Sequence, residues 1–458
     1  MQHTRKSTAR DMTSGSIAKQ LVLFALPLML GNVFQMLYNT VDSIVVGHFV
    51  GKEALAAVGS TTVIVNMLVF FFNGFSVGAG VVIGQHFGGR DLERLHAAVE
   101  TTMAVTFACC ALFTAVGVVT VGPMLRLMST PEDVLADATT YLTIYFAGFS
   151  GLLIYNMGSG ILRAVGDTTR PLMFLVITSV LNIVLDLAFV IWLKAGIAGV
   201  AWATIIAQFV SAALTLTLLT RTRDIYRLSW RDLRVDGHVL RRIFSVGLPA
   251  GVQSVITAFS NVFVQGYINA FGSACMAGWG CYNKLDQFIM LPIQSTAMAT
   301  TTFVSQNIGA DRKARADRGT KTAVGLSMAM VGGIAAIIVI FAEQAVRLFS
   351  RDASVIGFGA LFLRANTFFL VANCVDHSLA GAMRGRGDAR GPMIIMLMCF
   401  VAIRQVYLYV VTHYISNTPL LVGLGYPVGW VSCCVIELIY YFRRYGGRAE
   451  KEIIKSGA

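Results

Sequence analysis

Arg163-Ala-Val-Gly-Asp-Thr-Thr-Arg-Pro171 reappears in the second half of the chain as Arg384-Gly-Arg-Gly-Asp-Ala-Arg-Gly-Pro392. Arg163 falls on Arg384, Gly166 on Gly387, Asp167 on Asp388 and Pro171 on Pro392, a shift of 221 residues. The same shift brings Gly59 onto Gly280, Gln85 onto Gln306 and Gly88 onto Gly309. A register held over points so far apart means that the chain is duplicated. A period of this length is a repeated bundle, not a solenoid unit.

Composition decides where the bundles sit. Of the 458 residues, 56% are hydrophobic and only 13% charged, with a mean hydropathy of +0.69. That is more apolar surface than a water-soluble fold of this size buries. Apolar stretches long enough to cross the hydrocarbon core as helices recur about twelve times between residues 17 and 442. The expected fold is therefore an all-α integral membrane protein of about twelve transmembrane helices.

The net charge of +12 follows membrane topology, not nucleic acid. With both termini cytoplasmic, about 28 of the 36 Lys and Arg fall in cytoplasmic segments. Anionic inner-leaflet lipid suits such a surface. The longest hydrophilic interval, 221–242, reads as a cytoplasmic linker. It divides the chain into a segment 1–16, an N-terminal six-helix lobe 17–220, a C-terminal six-helix lobe 243–442 and a tail 443–458. Six spans per lobe make the copies parallel repeats, two bundles related by a pseudo-two-fold along the membrane normal, an architecture recurrent in secondary transporters. The cleft between them is the expected transport path. The eight cysteines show no CxxC or mixed Cys/His spacing and read as packing residues. The first span has full helical length, so it reads as retained and not as a cleaved signal.

Pro27 and Pro249 open the two lobes inside their first spans. A proline there removes a helical hydrogen bond and permits a kink, which either bends between states or only shapes packing. The Gly166-Asp167 and Gly387-Asp388 pairs read as tight turns that seat one helix on the next, with Arg163 and Arg384 near inner-leaflet headgroups.

Charge inside a bilayer is expensive, so each intramembrane ionisable residue is a functional candidate: Asp42, Asp186, Lys284, Asp286, Arg364, Asp376, Arg404 and Glu437. Asp186 lies four residues after Asn182, so both project from one helical face. A carboxylate beside an amide oxygen suits a proton or Na⁺. Gln35, Tyr38, Asn39 and Asp42 give span one a polar face able to meet span five. The 221-residue shift puts Asp186 on Tyr407, Asn182 on Ile403 and Asp42 near Phe263 or Val264. Acids missing from one copy are not needed to hold six helices together, which favours an ion-coupling role in the first lobe over a scaffold role. Lys284 has Asp376 as an available partner and Arg404 some other acid. The sequence does not choose among these partners, but it favours internal charge pairing over a second-lobe substrate or proton site. Tyr155, Asn156, Gln253, Asn261, Lys284, Asp286 and Asp376 join Gln35, Tyr38 and Asn39 as substrate-cleft candidates. Aromatic and Met side chains near them suit flat organic cations, although lipid contact or core packing is the better account of any one of them.

The chain resembles the multidrug and toxic compound extrusion (MATE) transporters, in a bacterial branch, over essentially its full length. The likeness rests on Ala25-Leu-Pro-Leu, Tyr38-Asn-Thr-Val-Asp42, the loop after Gln85 with Gly88 and Gly89, the Arg163 to Pro171 signature with its copy, and Leu181-Asn-Ile-Val-Leu-Asp186. It implies two six-helix lobes around a cleft and export of cationic amphiphiles in exchange for H⁺ or Na⁺. The cation site it implies falls on Asp42, Asn182 and Asp186, with Thr204 as a fourth ligand. Span seven offers Gln253, Ser254, Thr257, Asn261 and Gln265 but no acid, which argues against a second-lobe site of the kind some relatives carry there.

The sequence therefore predicts a monomeric inner-membrane antiporter with no cofactor beyond its coupling ion and no nucleic-acid partner. It is not an enzyme, for no HExxH, GxSxG or comparable set occurs. The rival reading is a flippase for lipid-linked oligosaccharides, which would call for more basic groups within the spans.

Overall fold

The computed structural model describes residues 9–128 and 130–446; part of the expected segment 1–16 and most of the tail 443–458 lie outside the described residues. Among the described residues every regular element is helical. In chain order they are α1 (Ile17–Val50), α2 (Lys52–Gly88), α3 (Leu92–Leu127), α4 (Glu132–Ala147 then Phe149–Ala164), α5 (Thr169–Trp192), α6 (Gly196–Arg221), α7 (Gly237–Asn269), α8 (Ser273–Gly309), α9 (Lys313–Ile340), α10 (Ala353–Thr367 then Leu370–Gly385), α11 (Arg390–Ile415) and α12 (Pro419–Gly446). A short helix, Ala342–Arg347, precedes α10.

Nine of these helices are long and apolar enough to cross a membrane, and α4 and α10, bent by 48° and 53°, bring the number to eleven. The repeat supplies the twelfth. α8 begins 221 residues after α2, at Ser273 against Lys52, and both have 37 residues. Its hydropathy is low because Thr296, Thr300, Thr301, Ser305, Gln306 and Asn307 are all buried. The hydroxyls of Thr300, Thr301 and Ser305 turn back onto their own helix, Thr300 to the Thr296 carbonyl at 2.7 Å, Thr301 to Ala297 and Ser305 to Thr302 at 2.9 Å, so these three sit inside protein at little cost. The starts of α3 and α9, α4 and α10, and α5 and α11 keep the same 221-residue offset. The chain is a duplicated, multi-pass, all-helical membrane protein.

Two compact units divide it, and not where a linear reading places the border. The first unit holds Pro27–Leu248 with the described residues up to Asp11; the second holds Met12–Leu26 and the chain from Pro249 onward. The start of α1 therefore packs with the second unit, and the start of α7 with the first. Lobes drawn as 17–220 and 243–442 miss this exchange. The two borders that fall inside helices each lie at a proline, Pro27 and Pro249, where the backbone ladder is already interrupted.

Each unit grips the segment it borrows. In the first, Gly78 of α2 meets Gly247 of α7 so closely that a Cβ on Gly78 would lie 2.4 Å from the Gly247 nitrogen. The Arg242 guanidinium donates to Gln85 Oε1. In the second, the Met12 amide donates to Gln306 Oε1 at 2.9 Å, Asn307 donates back to the Met12 carbonyl at 3.2 Å, and Arg315 donates to the Ser14 carbonyl at 3.0 Å. Gln85 and Gln306, equivalent in the repeat, thus do equivalent work.

The signature loops are tight turns, with Gly166 at φ +85° and Gly387 at φ +88°, a region costly for residues with a Cβ. Asp167 accepts the Arg170 amide and Asp388 the Gly391 amide, both at 3.1 Å, capping the helices that begin with Pro171 and Pro392 close behind. Arg163 and Arg384 turn inward, contrary to the expectation of headgroup contact. Arg163 donates to Ser76 Oγ at 3.3 Å and Arg384 to Gln253 Oε1 at 3.5 Å.

Candidate functional site

In the first unit, Asp186 and Asn182 stack one turn apart on α5, 0% and 2% exposed. Neither oxygen of Asp186 has a hydrogen-bond partner, and neither head atom of Asn182 does. Asp42 comes from α1, half-buried, with one oxygen enclosed and unpartnered. The two carboxyl groups lie close enough to interact directly, and Tyr38 and Tyr141 stand within electrostatic reach of both. Tyr141 stacks on Tyr145 at 6.3 Å, walling the acids with phenol rings. Among the described residues, neither acid has a Lys, Arg or His ion-pair partner. Uncompensated carboxyl groups in such a place are costly. The site gathers carboxyl, amide and phenol oxygens in one place.

Thr204 of α6 is buried, and its hydroxyl donates to the Val200 carbonyl at 3.1 Å, which leaves the oxygen lone pairs free to accept. The Ser211 hydroxyl donates to Thr178 Oγ1 at 2.8 Å and ties α6 to α5. One local feature was not legible in sequence. α1 widens into a π-helical turn at Val46–Val50 and α5 into another at Ala188–Trp192, each just beyond its acid, and the two turns touch. Such turns recur at functional positions in helices.

The remaining candidates scatter. Gln35 and Asn39 are exposed, and of that polar face only Tyr38 stays with Asp42. Tyr155 donates to the Pro171 carbonyl at 3.1 Å and Asn156 to Leu152 at 3.0 Å, so both serve their own bundle. In the second unit Gln253 donates to Met396 Sδ and is buried. Lys284 does not pair with Asp376; it is exposed and lies over the Phe349 ring at 5.5 Å. Asp286 lies beside Tyr282. Arg404 takes no acid either. Its guanidinium donates to Asn261 Oδ1 at 2.9 Å and Ser260 Oγ at 3.3 Å, between the rings of Phe400 at 4.3 Å and Tyr426 at 5.0 Å.

Asp376 is wholly enclosed, with Glu437 beside it and Arg384 within charge reach of both. The second unit therefore has buried acids of its own, at positions the repeat does not relate to Asp42 and Asp186: a shift of 221 puts Asp376 on Tyr155. Glu437 is absent from the expected site because comparing the halves singles out only the first-lobe pair.

Comparison with known proteins fits this duplicated build. The MatE family model matches residues 27–188 and again 249–410, each match starting at the proline where a unit border falls. The chain is 29% identical over 438 residues to the probable multidrug resistance protein YpnP of Bacillus subtilis, covering 96% of this chain and 97% of that protein. To the probable multidrug resistance protein NorM of Thermotoga maritima it is 24% identical, covering 96% and 94%. A MATE crystal structure in the bent conformation superposes with a TM-score of 0.91 at 24% identity, covering 97% of this chain and 99% of that one. A MOP superfamily transporter from Pyrococcus furiosus, described as having a binding pocket of reverse polarity, superposes with 0.89 at 26% identity, covering 97% and 98%. With both halves matched by one family model and full-length relatives among bacterial multidrug proteins, the chain belongs to the MatE family of membrane transporters.

Proposed function

We propose that this chain exports organic cations and cationic amphiphiles across the bacterial cytoplasmic membrane in exchange for H⁺ or Na⁺, working as a monomer with both termini in the cytoplasm. The observation that carries the reading is the Asp42–Asp186 pair, Asp186 buried and Asp42 half-buried, beside Asn182 and Tyr38 and without a basic partner among the described residues. A proton or Na⁺ arriving there neutralises one carboxylate; Asn182 and Thr204 offer further oxygens for the larger ion. The relief of charge alters how α1 packs beyond Pro27, and that repacking is coupled to release of the organic cation. A one-for-one exchange of monovalent cations moves no net charge, so it is driven by the H⁺ or Na⁺ concentration gradient at about 1.4 kcal/mol per tenfold; each coupling ion beyond the first adds about 2.3 kcal/mol per 100 mV of membrane potential. The names of the Bacillus subtilis and Thermotoga maritima relatives support efflux of drugs.

The experiment is efflux of a fluorescent organic cation from proteoliposomes under an imposed pH or Na⁺ gradient, with Asp186→Asn and Asp42→Asn beside the parent. Both variants are expected to elute as folded protein and to lose gradient-driven transport. Undiminished export by either variant overturns the role of that carboxylate, and a response to only one gradient identifies the coupling ion.

A further inference from the structure

In the second unit, three side chains of different chemistry converge where neither the repeat nor the sequence spacing points. Asp376 comes from the second half of α10. Cys433 and Glu437 lie one turn apart on α12, and so on one face. Their donor atoms all lie within 4.8 Å of one another, and all three residues are buried. Cys433 Sγ already donates to Asp376 Oδ1 at 3.3 Å. Both Glu437 oxygens and the second oxygen of Asp376 are enclosed without a hydrogen-bond partner. These are not the marks of a packed structural network, in which buried polar atoms are satisfied.

We propose that Asp376, Cys433 and Glu437 form a binding site for a borderline divalent transition-metal ion such as Zn²⁺, clamping α10 to α12. Two donors on one such ion, bonded at about 2.0–2.3 Å, are separated by at most about 4.6 Å, so small side-chain rotations complete the set. One thiolate with two carboxylates suits Zn²⁺ or Co²⁺ better than Na⁺ or Mg²⁺, which favour oxygen alone. Charge also balances. Three anionic ligands are met by a divalent ion and the Arg384 guanidinium, which stands within charge reach of both acids. On binding, the Cys433 thiol proton passes to water as the metal–sulfur bond forms, and no oxidant or reductant is involved. His377 stands next to the set, with Nδ1 3.5 Å from Asp376 Oδ2 and no hydrogen bond between them.

The test uses the purified full-length protein in detergent with Co²⁺ as probe, read by its thiolate charge-transfer and d–d absorption, and Zn²⁺ as competitor. One Co²⁺ per chain is expected, displaced by Zn²⁺. Cys433→Ser should abolish the charge-transfer band. Glu437→Gln should weaken binding by at least the roughly tenfold that loss of an outer group costs. Asp186→Asn should leave the signal intact, which separates this site from the transport reading. Each variant is compared by gel filtration and melting temperature without metal, and Cys399→Ser controls for thiolate signal from the other cysteines. Absence of a stoichiometric band in the parent, or a band unchanged in both Cys433→Ser and Glu437→Gln, overturns the proposal.

Discussion

At the scale of single residues, the two buried charge systems differ in what they lack. Asp42 and Asp186 are acids without a basic partner among the described residues, whereas Arg404 is a cation without an acid, held by Asn261, Ser260 and two aromatic faces. Planarity lets a guanidinium stack and donate at once, which an ammonium cannot do. Arg404→Ala is expected to destabilise the protein by about 2–4 kcal/mol, in the range of large-to-small core changes. Arg404→Lys should recover only a minor part, as read by the melting temperature in detergent. Asp186 and Asn182 were legible from their four-residue spacing and from the absence of any base near them in sequence. Asp376 and Glu437 were candidates singly, but their convergence with Cys433 was not legible. Asp376 and Cys433 are 57 residues apart on separate helices, and no periodicity of one helix reports which neighbour it faces.

Elements carry their own tests. Gly166 combines a left-handed backbone with a neighbour: a Cβ there would lie 2.4 Å from the Arg10 carbonyl oxygen. Gly166→Ala is expected to cost about 1–2 kcal/mol for the backbone alone and to loosen residues 9–11, seen as faster proteolysis near the N-terminus. The start of α7 is capped by Asp236, whose carboxylate accepts the Val239 and His238 amides at 3.0 and 2.8 Å. Those donors, the Val239 amide foremost, hold its pKa below the ordinary carboxylate value. The cap is thus fully present above about pH 4 and is lost as pH falls through the lowered folded-state value. Asp236→Asn should flatten the acid limb of a melting-temperature profile while leaving its neutral end nearly unmoved; an unchanged acid limb would assign the acid loss to other groups. The helices themselves were readable from apolar length and repeat register, including α8. The π-helical turns beyond Asp42 and Asp186 were not, because a widened turn depends on how the backbone ladder settles against a neighbour and not on residue type.

For the molecule as a whole, the duplicated plan could be read from seven matched positions, but the exchange of helix starts could not. Hydropathy marks where a span begins and says nothing about which bundle receives it. The exchange makes a specific prediction for a chain severed between Arg221 and Gly237. Each half expressed alone lacks a segment its own bundle needs: Gly237–Leu248 for the first unit, Met12–Leu26 for the second. Neither half should give monodisperse protein in detergent, whereas co-expression should restore a complex of both. A stable, protease-resistant first half on its own would contradict the division.

The same borrowing bears on ancestry. A half-length forerunner wired in this way cannot finish its bundle alone, and completes it by trading leading segments with a second copy, as swapped homodimers do. Joining two such genes end to end then guarantees a partner at one-to-one stoichiometry and frees the copies to diverge, one keeping acids on α1 and α5 while the other places them on α10 and α12.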